Sequence, residues 1–160
     1  MMNIHFTNPD IARRFSYLEI DESVIEDAKY GWLIIRNELN AILEKFLHKM
    51  DVLGFADQIA DAHELKLKLY RHWANLFSCS FSNDYIEQVR RSGIAHREVG
   101  LEPAHLTIGY AFIIDEMIKV LEKKITDDPA RRVRTIRAIN KLGALDAGIA
   151  LSSYNAVLLD

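Results

Sequence analysis

Three prolines in 160 residues, each placed where a helix can begin, constrain this chain more than any other feature of its sequence. Proline inside a helix removes a hydrogen bond and clashes with the preceding turn, whereas in the first turn its fixed φ and missing N–H cost nothing. Pro9 follows Asn8, Pro103 follows a glycine-containing corner, and Pro129 follows Thr126 and Asp127. Glycine is nearly as sparse, with seven in the chain. The uninterrupted stretches between these breakers are long enough for several turns of helix, and their apolar residues recur at three- and four-residue steps.

Asn8 caps a short helix running to roughly Arg14. Asp21 and Glu22 open the next region, where Val24, Ile25, Trp32, Ile35, Leu39, Ile42, Leu43 and Phe46 keep mostly helical spacing to about Met50, as one long helix or two joined. Gly54 interrupts, and a helix from about Asp57 to Phe77 carries Ala62, Leu65, Leu69, Trp73 and Leu76 on one stripe. Ser82, Asn83 and Asp84 cap a helix from Ser82 to about Glu98. Gly100 stops it, and Pro103 begins another with the stripe Leu106, Tyr110, Ile113, Met117 and Val120. Thr126 or Asp127 caps a last long helix reaching Tyr154 and beyond. No segment sustains a two-residue alternation with β-branched enrichment, so the class is all-α. A helix bundle, a helical repeat pair and a globin all remain open on this evidence.

The length suits one domain, burying roughly two thirds of its unfolded surface. Hydrophobic residues are 49% of the chain and charged residues 27%, with a net charge of −3 and the two signs interspersed. Nothing in that balance attracts nucleic acid, and Arg131, Arg132, Arg134 and Arg137 read as a solvated helix face. Cys79 is the only cysteine, which excludes an internal disulfide and fits a reducing compartment. The opening MMNIHFTNPD lacks a basic region followed by an apolar run, and no later apolar run approaches the roughly eighteen residues that span a bilayer. A cytoplasmic domain without membrane or nucleic-acid partners is the expectation.

Ile86, Val89, Gly93 and His96 follow one another at steps of three, four and three, which turns His96 inward on an apolar stripe. Two readings fit. One is a core histidine satisfied by a neighbouring carbonyl. The other is an axial haem ligand, since neutral imidazole binds haem iron and the stripe supplies apolar surroundings. Spacing alone leaves both open.

The stretch from Trp73 to Tyr110, WANLFSCSFSNDYIEQVRRSGIAHREVGLEPAHLTIGY, resembles the globin-coupled sensors, bacterial proteins in which a haem globin controls a signalling domain. Its centre is His96 followed by Val99-Gly100-Leu101 and Pro103, like the family's proximal-histidine pattern. Arg14-Phe15-Ser16-Tyr17-Leu18 is similar to the family's opening motif, and Lys141 to Tyr154, KLGALDAGIALSSY, to its last helix, with Asp146 and Tyr154 eight positions apart. The resemblance implies a globin fold whose last two long helices form a four-helix dimer bundle. It also implies haem b (iron protoporphyrin IX) held by His96 as the proximal ligand. Phe46, Leu47, Leu65, Lys68, Leu69, Val99, Leu106 and Tyr110 are the further pocket positions it suggests. Residues 1–160 are then a single sensor globin domain, either the N-terminal part of a longer signalling protein or a stand-alone sensor globin.

Two departures bear on what is sensed. Phe46 matches the phenylalanine that packs on haem, but Leu47 stands where the family usually has a tyrosine that donates to bound oxygen. Losing such a bond costs about 1 to 3 kcal/mol, roughly ten- to a hundredfold in affinity, so oxygen binding should be weak while carbon monoxide and nitric oxide remain accessible. Lys68 falls where the family often has threonine or serine, and a surface lysine with its stem along apolar neighbours is preferred to a distal ligand. His105 and Leu106 replace the family's usual tryptophan and tyrosine, with His105 read as exposed at a helix start. His63 and His72 lie on the distal helix, but Leu65 and Leu69 define its inward stripe better than either.

The leading expectation is a sensor of oxygen, carbon monoxide or nitric oxide that signals, as a homodimer, to an output domain in cis or in trans. That output could be chemotactic, cyclic-dinucleotide or kinase signalling. The alternative is a haem-free globin-like regulatory domain that binds another apolar ligand or a protein partner. No enzyme is expected: there is no polar distal acid–base pair or hydrolytic motif, and Glu98 and Glu102 read as solvent-facing helix-end residues.

Overall fold

The computed structural model describes residues 8–55, 57 and 59–156; residues 1–7, which hold most of the opening segment discussed above, and 157–160 lie outside them. Seven helices follow in order: α1 (Pro9–Tyr17), α2 (Glu22–Ile35), α3 (Leu39–Lys49), α4 (Ala62–Phe77), α5 (Asn83–Glu98), α6 (Pro103–Lys124) and α7 (Pro129–Ala156), with no strand among the described residues. The all-α expectation holds. None of these helices is long and apolar enough to cross a membrane.

Helix starts follow local capping chemistry, in which a side-chain oxygen satisfies an otherwise orphaned N–H of the first turn. The Asn8 side chain accepts from the Asp10 amide, Asp21 from Val24 and Ser82 from Tyr85. Three boundaries differ from expectation. The first helix continues past Arg14 to Tyr17. The fourth begins at Ala62, because Asp61, not Asp57, accepts from an amide one turn on, that of Glu64 at 3.1 Å. The cap of α7 is Asp128, which accepts from the Arg131 amide at 3.0 Å, in place of Thr126 or Asp127. The region from Asp21 to Met50 is two helices, broken at residues 36–38 by a tight turn in which the Glu38 amide donates to the Ile35 carbonyl at 2.8 Å.

α7 is the central post of the core. Thr135, Ala138, Ile139, Leu142, Leu145, Asp146, Ile149, Ala150, Ser153 and Tyr154 are all buried, and α2, α5 and α6 pack around it. Gly93 lets α5 lie directly on α7, because a Cβ there would collide with the Ala150 carbonyl and the Ser153 hydroxyl. α3 and α4 pack on each other, and α3 also packs on α6. Trp73 and Phe77 of α4 stack with centroids 6.1 Å apart, and Trp32 of α2 stacks on Phe77 at 5.5 Å. The basic cluster of α7 is engaged as well as solvated: Arg131 lies 3.5 Å over the Tyr30 ring, Arg132 donates to the Ile125 carbonyl, and Arg134 faces Asp27. Just past α4, Cys79 is buried with a left-handed φ of 57°, and burial pushes its thiol up to about 11.

Candidate functional site

α3, α4, α5, α6 and the α3–α4 connection enclose a cavity of about 640 Å³, well within the range of small-molecule sites. Phe46 lines it from α3, Met50, Leu53, Phe55 and Ile59 from the connection, Leu65, Leu69 and Trp73 from α4, and Leu106, Gly109 and Ile113 from α6. α5 contributes Ser92, Ala95, His96 and, past its end, Val99. The charged lining residues Lys68, Arg71 and Arg91 have exposed side chains, Lys68 beside Glu64 and Arg91 beside Glu87, so the cavity is mainly apolar within and carries its charged side chains at the mouth.

His96 is half-buried in the α5 wall, and its Nδ1 lies 2.6 Å from the Ser92 carbonyl, one turn earlier. A carbonyl only accepts, so Nδ1 carries the proton and Nε2 keeps its lone pair. Burial disfavours the charged ring and, despite the Ser92 bond, holds its pKa below the ordinary 6.5, so the neutral imidazole prevails at neutral pH. The chain then turns sharply. The Leu101 amide donates to the His96 carbonyl and the Gly100 amide to the Arg97 carbonyl, the paired bonds of a Schellman cap, with Gly100 at φ 84°. This corner fixes the end of the helix that carries His96.

Behind the cavity sits a buried carboxylate. Asp146 of α7 is wholly shielded from solvent and accepts from three helices: His72 Nε2 of α4 at 2.5 Å, the Tyr110 hydroxyl of α6 at 2.6 Å, and the Tyr85 hydroxyl of α5. His72 and Tyr110 also line the cavity. Burial opposes a charge on His72, but the Asp146 carboxylate outweighs it and raises the imidazole pKa above its ordinary value. Burial, with the carboxylate adding to it, drives both tyrosine hydroxyls well above their ordinary range.

The sequence pattern of the Protoglobin family matches residues 7–159. The chain belongs to the Protoglobin family. Among solved structures, this protoglobin is similar to the globin domain of a Geobacter sulfurreducens globin-coupled sensor, at 18% identity and a TM-score of 0.77, over 89% of this chain and 96% of that one. The globin fold and the resemblance to globin-coupled sensors read from the sequence are therefore borne out.

Within the protoglobin fold, His96, Phe46, Leu65, Lys68, Leu69, Val99, Leu106 and Tyr110 come together around the cavity, whereas Leu47 is half-buried outside its lining. Lys68 is mostly exposed, with its ammonium 3.3 Å from Glu64, as a surface lysine would be. His105 is not the exposed helix-start residue expected: it is half-buried, lines the cavity, accepts at Nδ1 from the Glu102 amide and meets the Phe55 ring edge-on. His63 is exposed, but His72 turns inward. His72 lies seven residues after Leu65 and three after Leu69, on their own helical face, so its spacing carried the signal. Ala62, expected on that stripe, is exposed in the first turn of α4.

The residues present fit a haem. A flat apolar macrocycle matches the lining, the exposed Lys68, Arg71 and Arg91 suit carboxylates at the mouth, and His96 presents one neutral nitrogen. Among the described residues no three His, Cys, Asp or Glu side chains form a metal-holding group, so a metal here would need most of its ligands from a macrocycle.

Proposed function

We propose that this chain is a cytoplasmic gas-sensing globin that holds haem b through His96. The observation that carries the reading is the commitment of His96 Nδ1 to the Ser92 carbonyl, which leaves Nε2 as a neutral ligand on the wall of an apolar cavity. Phe46, Leu65, Leu69, Val99 and Leu106 would pack on the macrocycle, Tyr110 would close its inner end, and Lys68 would lie near its carboxylates. Haem, when bound, supplies iron with a coordination position for a diatomic gas. Across the cavity from α5 the α4 wall offers Leu65 and Leu69 beside His72 and Trp73, and Leu47 stands where the resembled family usually has a hydroxyl donor. Oxygen is therefore expected to bind weakly, by about ten- to a hundredfold, relative to a pocket with such a donor, with carbon monoxide and nitric oxide little affected.

The chain acts as a sensor rather than an enzyme, and α6 and α7 pair with those of a second copy to pass the signal to an output domain in cis or in trans. Absorption spectra of the reconstituted protein in ferric, ferrous and carbon-monoxide forms, beside His96→Ala, test the reading. A Soret band of one haem per chain that shifts between forms and weakens in His96→Ala is expected. No stoichiometric Soret band would replace this reading with the haem-free regulatory one.

A further inference from the structure

Among the fully buried groups of the described core, Asp146 is the one that carries a charge; the other buried polar residues are Thr135 and Ser153. A buried carboxylate is tolerated only while its partners stay in place, since removing one leaves charge uncompensated in a low-dielectric interior. Here all three hydrogen-bond partners of the carboxylate come from outside α7. His72, Tyr110 and Tyr85 stand on α4, α6 and α5, three of the helices that wall the cavity, and two of them touch the cavity itself. Apolar contacts between α7 and the cavity walls have no fixed direction. The hydrogen bonds to Asp146 do, and a donor helix that turns its group out of line weakens them steeply.

We propose that Asp146 is the positioning residue through which α7 reads what fills the cavity: a change at His72 or Tyr110 alters the donors to its carboxylate and so the packing of α7. The inference rests on the sensor reading above for its biological use, and not for its physics. An object in the cavity presses on His72 and Tyr110, both in its wall, and the carboxylate transmits that displacement to the one helix that α2, α5 and α6 all pack against. Gly93 adds a direct route, because with no side chain of its own it lets α5 meet Ala150 and Ser153 of α7 at close range.

Amide hydrogen exchange on the full chain, read by mass spectrometry, tests the proposal. The cavity is filled in two ways: with haemin, and with Leu69→Trp, which places a larger ring inside without any added ligand. Each is measured with Tyr110 intact and in Tyr110→Phe, which removes one donor to Asp146 and keeps the ring. In the intact background, filling is expected to change exchange in the middle of α7 by about tenfold, and in Tyr110→Phe by about twofold at most, while the α4 response persists in both. A purely structural role for the cluster predicts faster exchange throughout Tyr110→Phe with an undiminished response to filling, which overturns the proposal. So does an α7 that ignores filling in the intact background. Haemin that gives no Soret band removes the haem reading alone, and the Leu69→Trp arm then decides this one; Leu65→Phe serves in its place if that variant does not fold.

Discussion

Tyr154, near the end of α7, donates its hydroxyl at 3.1 Å to the carbonyl of Leu101, the residue that completes the corner after His96. The last helix therefore holds the His96 corner by a side-chain bond as well as through the α5 backbone. Tyr154→Phe deletes that bond and leaves the ring, and the expected loss is about 1 kcal/mol in urea unfolding. An unchanged midpoint would show that the bond contributes nothing.

Two glycines on or beside α5 separate two kinds of constraint. Gly100 has open space around it but a left-handed φ, so Gly100→Ala costs only backbone strain, about 1 to 2 kcal/mol. Gly93 is an ordinary helical residue pressed against the Ala150 carbonyl, so Gly93→Ala forces α5 and α7 apart and costs more, about 3 kcal/mol or above. The order of the two melting temperatures checks the assignment, and equal values would refute it.

The buried carboxylate predicts an asymmetry between its own removal and that of its donors. Asp146→Ala strands His72, Tyr85 and Tyr110 and is expected to destabilise the fold by about 3 to 5 kcal/mol. Tyr85→Phe or Tyr110→Phe each removes one of three donors and should cost about 1 to 2 kcal/mol. A Tyr→Phe loss as large as that of Asp146→Ala would mean that the carboxylate depends on that hydroxyl alone.

The two cavity histidines should give stability opposite dependences on pH. His72, faced by Asp146, Tyr110 and, through space, His96, has a folded pKa raised above 6.5. The folded state then holds that proton more tightly than the unfolded chain. Its contribution is complete below pH 6.5 and is lost as pH rises through the raised value. For His96, whose folded pKa is lowered, the unfolded chain takes the proton first, so stability falls as pH drops below 6.5. Urea unfolding between about pH 5 and about pH 9 checks both. The loss up to about pH 8, short of the range where Cys79 adds its own alkaline loss, should vanish in His72→Gln and the acid loss in His96→Gln.

What could be read from the sequence was what local chemistry decides. Asn8, Asp21 and Ser82 bond to amides two or three residues away, and Pro103 and Gly100 act within one turn, so these starts and stops were legible. Asp57 and Asp61 offered the same chemistry four residues apart, and only packing of α4 on α3 selects between them. His96 was visible because its stripe and its corner lie in one stretch. The carboxylate cluster was not, because its donors lie 36, 61 and 74 residues from Asp146 and no local pattern joins them. Asp146 did carry a trace of its burial, four residues after Leu142 and three before Ile149 on the inward face. Leu47 shows the reverse case: its neighbour Phe46 reaches the cavity, and one step of 100° along the same helix puts Leu47 outside the lining.

The chain's own thiol leaves the rest of the surface available for chemistry. With its acidity suppressed to about 11 and its sulfur shielded, Cys79 stays protonated near neutrality and out of reach of alkylating reagents. A cysteine introduced at an exposed site such as Ile108 or Ala144 would then be the preferred attachment point for a nitroxide or a fluorophore, with the native cysteine left in place. Distances between labels on two copies could thus be measured in otherwise unaltered protein.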